Sequence, residues 1–267
     1  MAGISGAGRE ELASVLGRGA RLVTVDEVSS GLSVSRTASA KRLARWASLG
    51  WLRRVRRGLY IPVPLEVENP AEWTEDALYL ADAVWAPCYS TGWTTANHWD
   101  LTEQMFRTAI VKTTQRVRRS TQQLAGHDYL LVHTQPKDLT WGLKTEWRHD
   151  RRLRLADPAR TVIDALVDLS LSGGIRLAAE ILESYLLDHP GDVLIEYGDR
   201  LGHGVLFKRL GYLIEQLGLD QTSLVAACRQ RLTAGVALLD PTLSDRGLRI
   251  SEWGLRLNTS IRFEGAS

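Results

Sequence analysis

Acidic side chains are missing from one long stretch of this sequence: from Val28 to Leu65 there is no Asp or Glu. A surface built from that stretch cannot balance its own charge. Cysteine is nearly absent as well. Cys88 and Cys228 are the only two, too few for a disulfide framework and a fit to a reducing compartment. No apolar run approaches the about 20 residues that a membrane helix needs. The start MAGISGAGREEL lacks the basic head and apolar core of a secretory signal. A soluble, cytoplasmic protein is expected. There is no Gly-rich phosphate loop, no nucleophile elbow and no Cys–His constellation. His98 with Asp100 has no second ligand cluster at metal spacing, and Lys144-Thr145-Glu146 lacks the acids that would complete a nuclease site. No catalytic residue, metal or cofactor is therefore expected.

What is present sits between Thr24 and Pro62. Thr24 and Glu27 have the spacing of a capping box. Gly31 reads as the stop of a short helix, and Ser33 or Ser35 as the cap of the next. In that second helix Leu43, Trp46 and Ala47 share one face, while Thr37, Ala38, Lys41 and Arg45 share the other. After Gly50, Trp51–Val55 reads as a strand, Arg56-Arg57-Gly58 as a turn and Leu59-Tyr60-Ile61 as the returning strand. Helix, turn, helix and ribbon in this order predict a winged helix-turn-helix. Residues 1–65 hold 11 basic and 4 acidic side chains, a net +7, against −5 for the remainder, although the whole chain is only +2. A basic winged helix is what a phosphate backbone requires. The expected contacts to double-stranded DNA are Ser35, Arg36, Thr37, Lys41, Arg42 and Arg45 on the second helix, with Arg53, Arg54, Arg56 and Arg57 on the wing.

A boundary near residue 65 gives two domains, 1–65 and 66–267. The larger one reads as α+β, with a small antiparallel sheet followed by a helix-rich C-terminal half. Helical spacing runs from Pro70 to about Val84, then a short helix from Trp93 to Trp99. Strands are expected over 106–113, 127–133 and 139–147, with a basic loop, QRVRRSTQQ, between the first two. Asp157-Pro158 should open a helix. Further helices are expected over 173–187, 193–201, 204–217 and 220–233, and then a loop and a short extended tail. Arg107, Lys112, Arg116, Arg118 and Arg119 form a second basic run. It is read as an auxiliary nucleic-acid surface, with a solvated loop as the plain alternative.

Four segments carry a family resemblance. RLARWASLGWLRRVRRGLYIPVP is similar to the winged helix of AbiEi-like antitoxins of type IV toxin–antitoxin systems. YSTGWTTANHWDLTEQMF, ADPARTVIDAL and LLDPTLSDRGLRISEWGLRLN resemble later motifs of the same family, in the same order. Two positions depart from its pattern: Thr95 stands where a small residue such as alanine is usual, and Asp100 where glycine is usual. The resemblance implies an antitoxin that represses its own operon and counters a nucleotidyltransferase-type toxin, without requiring a stable complex with it. It also implies that the second domain helps neighbouring copies bind DNA cooperatively. Two other readings stay open: an enzyme that inactivates the toxin by covalent modification, and a winged-helix regulator with no toxin partner.

Overall fold

A computed structural model describes residues 6–17, 21–69 and 72–261. The chain divides into two compact units. One runs up to Leu80 and includes Gln122–Asp128; the other holds Ala81–Thr121 and the residues from Tyr129 onward.

In the first unit the order is α1 (Gly6–Leu16), β1 (Val23–Thr24), α2 (Val25–Gly31), α3 (Arg36–Ser48), β2 (Leu52–Arg56) and β3 (Leu59–Pro62). The strands form an antiparallel sheet in the order β1-β3-β2. This fits the winged-helix plan. Leu12, Val28, Leu43, Trp46, Leu52 and Tyr60 fill the core between helices and sheet. The capping box is present: Glu27 N donates to Thr24 Oγ1 at 3.2 Å, and Thr24 N donates to Glu27 Oε2 at 2.7 Å.

The turn between α2 and α3 differs from expectation. Gly31 stays within α2, and Ser33 takes the left-handed conformation at φ 52°. Two bonds close this turn: Ser29 Oγ donates to Val34 O at 2.7 Å, and Val34 N to Ser29 O at 3.2 Å. They hold a serine where glycine would be easier.

The remaining elements are α4 (Ala77–Trp85), β4 (Cys88–Ser90), α5 (Trp93–His98), β5 (Thr108–Thr113), β6 (Thr121–Leu124), β7 (His127–His133), β8 (Leu143–Arg148) and β9 (Arg151–Ala156). They are followed by α6 (Pro158–Val167), α7 (Ile175–Asp188), α8 (Asp192–Leu201), α9 (Gly204–Leu217), α10 (Thr222–Arg229), β10 (Ala237–Leu238), β11 (Leu248–Ile250) and β12 (Leu255–Leu257). The chain is α+β, as expected. Its main sheet is larger than expected, with six strands in the order β6-β7-β5-β4-β9-β8. The pairing of β4 with β9 is parallel, Ser90 opposite Leu155.

Three expectations shift. The helix placed from Pro70 begins at Ala77, where Asp76 Oδ1 accepts from Tyr79 N at 2.8 Å; Pro70 itself lies outside the described residues. The basic loop of residues 115–123 contains the start of β6. The strand expected over 139–147 starts at Leu143, because Pro136–Leu139 forms a 3-10 turn.

The helical core gathers around α6, whose residues Ala159–Leu166 are all buried. The later motifs converge on its ends and sides. Asp157 caps it, accepting from Arg160 N at 2.8 Å. Asp240, from the LLDP motif, accepts from Ile175 N at 2.8 Å and so caps α7. Asn258 Nδ2 donates to Asp240 O at 2.6 Å, which joins the two halves of the last motif. Trp253 is buried against α9, where Gly211 leaves room for the ring: a Cβ there would lie 2.1 Å from it. Among the described residues no helix is long and apolar enough to cross a membrane.

Candidate nucleic-acid interface

Helix α3 presents two different surfaces. Ser39, Leu43 and Trp46 are buried in the core of the first unit. Thr37, Ala40, Lys41, Ala44 and Ser48 are exposed along the opposite side. Two of these five are alanines, so a duplex can approach the helix backbone closely. Ser35 starts the helix with its Oγ accepting from Ala38 N at 3.2 Å, so its side chain is committed to the cap.

The wing owes its charged outer face to a bulge. Arg54 pairs with Tyr60, and Arg56 with Leu59, so the register slips at Val55. The extra residue lets Leu52 and Val55 both turn inward and leaves Arg54 and Arg56 outward. Gly58, at φ 80°, closes the turn behind Arg57.

Together α3 and the wing enclose an open groove of about 580 Å³ lined by Arg36, Thr37, Ala40, Arg54, Arg57 and Tyr60. A second hollow, about 430 Å³, lies between α1 and α3, with Lys41, Arg42 and Arg45 on its wall beside Glu11 and Trp46. Of the expected contacts, Arg36, Thr37, Arg54 and Arg57 line the first hollow and Lys41, Arg42 and Arg45 the second, while Ser35, Arg53 and Arg56 line neither.

The sequence suggested a basic face without counter-charge; the fold supplies some from outside the acid-free stretch. Glu11 of α1 takes Arg42 in two bonds, Nε to Oε2 at 3.1 Å and Nη2 to Oε1 at 3.3 Å. Asp26 of α2 pairs with Arg36. Arg53 turns back and donates through Nη1 to the carbonyl of Trp73. The packing of α1 and α2 against α3 brings these acids close, and it is not visible from charge counts along the chain. Arg36 and Asp26 are both more than 60% exposed, so a phosphate can compete for that guanidinium. Arg42 and Arg53 are more firmly engaged.

The second basic run does not stay together. Arg107 precedes β5, and Arg116, Arg118 and Arg119 follow its far end, about 20 Å away along a strand of this length. All four are exposed. Lys112 lies on β5 and points inward: its Nζ is 2.9 Å from Asp164 Oδ1, and its side chain is only 14% exposed. It belongs to a buried network and not to a surface.

That network joins residues far apart in the chain, Tyr89 and Thr91 with Arg160 and Asp164. Asp164 accepts from Arg160 Nε at 3.1 Å and from Thr91 Oγ1 at 2.7 Å, and Tyr89 OH lies 3.2 Å away. Burial pushes the Asp164 carboxyl upward, but Lys112, Arg160 and the Thr91 hydrogen bond together outweigh it and hold it below its ordinary value. Burial, reinforced by Asp164, keeps the Tyr89 phenol protonated far above its usual range. The Arg160 guanidinium stacks 3.5 Å from the Trp141 ring centroid. The two departures from the family pattern are accommodated nearby. Thr95 is buried, with its Oγ1 accepting from Thr161 Oγ1 at 2.8 Å. Asp100 occupies the left-handed region at φ 57°, which accounts for glycine being usual there.

With this geometry in place, a family match falls on the segment from α1 to β3. Residues 10–63 match the family of AbiEi antitoxin transcriptional regulators. This AbiEi-like segment runs from α1 to the end of β3 and holds every helix and wing residue expected at the interface. Over the longer chain, the fold is similar to the crystal structure of the RV2827C protein from Mycobacterium tuberculosis, with a TM-score of 0.63 at 14% identity, covering 93% of this chain and 90% of that one. That likeness shows the fold alone. No curated protein matches the sequence.

Proposed function

We propose that this protein is a DNA-binding antitoxin that represses its own toxin–antitoxin operon and counters a nucleotidyltransferase-type toxin in the cytoplasm. It acts by binding, without catalysis. The groove that sets Arg36, Thr37 and Ala40 of α3 opposite Arg54 and Arg57 of the wing carries this reading. The exposed face of α3 enters the major groove, where Thr37 and Lys41 meet base edges or phosphates, and the wing arginines neutralise the adjoining backbone. The match of residues 10–63 to the AbiEi regulators supports the antitoxin assignment. The toxin class and the absence of a required stable complex follow from the resemblance of the later motifs.

The test is fluorescence anisotropy with the duplex upstream of the gene and a scrambled duplex of equal length, across a salt series. Selective binding is expected for the upstream duplex. Arg54→Ala/Arg57→Ala should bind more weakly, with the log–log salt slope shallower by about 1–2. Equal, weak binding to both duplexes, unaltered in the variant, would overturn the reading.

A further inference from the structure

Among the described residues no strand pairs with the outer side of β8, although it ends the six-stranded sheet and is six residues long with no proline. Natural sheets blunt such edges with short strands, prolines or charged side chains, lysine above all. This one carries charges at Lys144, Glu146 and Arg148 but leaves Trp147 65% accessible between them.

The register within the hairpin fixes which backbone groups point outward. Arg148 pairs with Arg151 across the two-residue turn His149-Asp150. Residues flanking such a turn are hydrogen-bonded to each other, so Arg148, Glu146 and Lys144 direct their N–H and C=O groups to β9. Leu143, Thr145 and Trp147 direct theirs to the open edge.

We propose that β8 pairs with β8 of a second copy, antiparallel, about a two-fold axis at Thr145. Three features of the strand converge on this register. It sets Leu143 and Trp147 of each copy opposite Trp147 and Leu143 of the other. It uses every outward backbone group, for about six main-chain hydrogen bonds. It also sets Lys144 opposite Glu146 in both directions, in the closely spaced kind of pair where side chains interact best.

Moving the axis to Lys144 or to Glu146 would set like charges face to face and leave outward groups unpaired. The charged pair is already held on one face of the sheet: Lys144 Nζ lies 5.1 Å from the Trp99 ring centroid, and Glu146 Oε1 is 2.7 Å from His98 Nε2. A two-fold contact of this kind is isologous and closes at two copies. It stands independently of whether the first unit binds DNA.

Sedimentation velocity of the full chain over a concentration series tests it, together with a disulfide trap. A concentration-dependent dimer is expected. Lys144→Glu sets Glu against Glu146 twice and should weaken dimerisation about tenfold or more, whereas Lys144→Glu/Glu146→Lys restores it. Thr145→Cys should cross-link to its own symmetry mate on mild oxidation, because Cα atoms in a hydrogen-bonded antiparallel pair lie about 5.5 Å apart, within disulfide reach. Both native cysteines are buried and will not interfere. Ser251→Cys, exposed outside β8, is the control and should dimerise without forming a cross-link. A chain that remains monomeric at about 100 µM with no Thr145→Cys cross-link would overturn the proposal. So would a dimer indifferent to Lys144→Glu.

Discussion

Asp164 shows how a single buried carboxylate orders its surroundings. Two cations, Arg160 and Lys112, and the hydroxyl of Thr91 point at it, and less than 3% of its side chain is exposed. Asp164→Ala would leave both cations buried without a counter-charge, a loss of about 3–5 kcal/mol. Lys112→Met keeps the Arg160–Asp164 pair and should cost clearly less. Urea unfolding of the two variants separates these outcomes. The pH dependence has a definite sign. A carboxyl held below its ordinary 3.8 in the folded protein contributes stability above that pH and loses it as the pH falls through the lower folded value. Wild type should therefore lose stability below about pH 4 more steeply than Asp164→Ala. A parallel acid limb in the two proteins would refute the assignment. Asp100 offers a second test at the same scale. Its left-handed backbone costs a non-glycine residue about 1 kcal/mol, so Asp100→Gly should stabilise by a few tenths to 1 kcal/mol, whereas the β-branched Asp100→Val destabilises. Thermal melts of the two variants should shift in opposite directions.

At the scale of elements, packing decides more than propensity. Gly211 lies inside α9, where glycine is unfavourable by about 1 kcal/mol. It is tolerated because the Trp253 ring occupies the space a Cβ would need, at 2.1 and 2.2 Å. Gly211→Ala should then destabilise by about 2–3 kcal/mol despite its better helix propensity, and unfolding in urea with Trp fluorescence would report it directly. An increase in stability would mean that the ring can shift at little cost. The same contrast explains what could be read from the sequence. The segment from Thr24 to Pro62 was legible because its signals are local: Thr24 with Glu27, Ser35 as a cap, and a turn at Gly58. The strand β9 was not. RRLRLA carries three arginines in six residues, and neither the inward set Leu153 and Leu155 nor the partner Arg151 makes for Asp82 shows in a local window. The parallel pairing of β4 with β9 joins residues 65 apart, Ser90 and Leu155, which no periodicity announces. Within the site, the groove residues on α3 were legible, but the Glu11–Arg42 and Asp26–Arg36 pairs depend on how three helices meet.

For the molecule as a whole, the distribution of charge matters more than its sum. A net +2 would predict weak attraction to a polyanion, yet residues 1–65 alone carry +7. Not all of that charge is available, because Glu11 holds Arg42 and the carbonyl of Trp73 holds Arg53. The exposed cations outside this segment then become relevant, foremost Arg116 and Arg118 beyond the end of β5, in a stretch with no acid between Glu103 and Asp128. If they form an auxiliary surface on the same duplex, Arg116→Ala/Arg118→Ala should lower affinity for long and scrambled duplexes alike. Its salt slope should then be shallower by about 1–2, because phosphate contacts carry charge and not sequence. A duplex trimmed to the footprint of one winged helix should lose that difference between wild type and variant. Identical slopes on the long duplex would confine DNA contact to the AbiEi-like segment and leave 116–119 as a solvated loop.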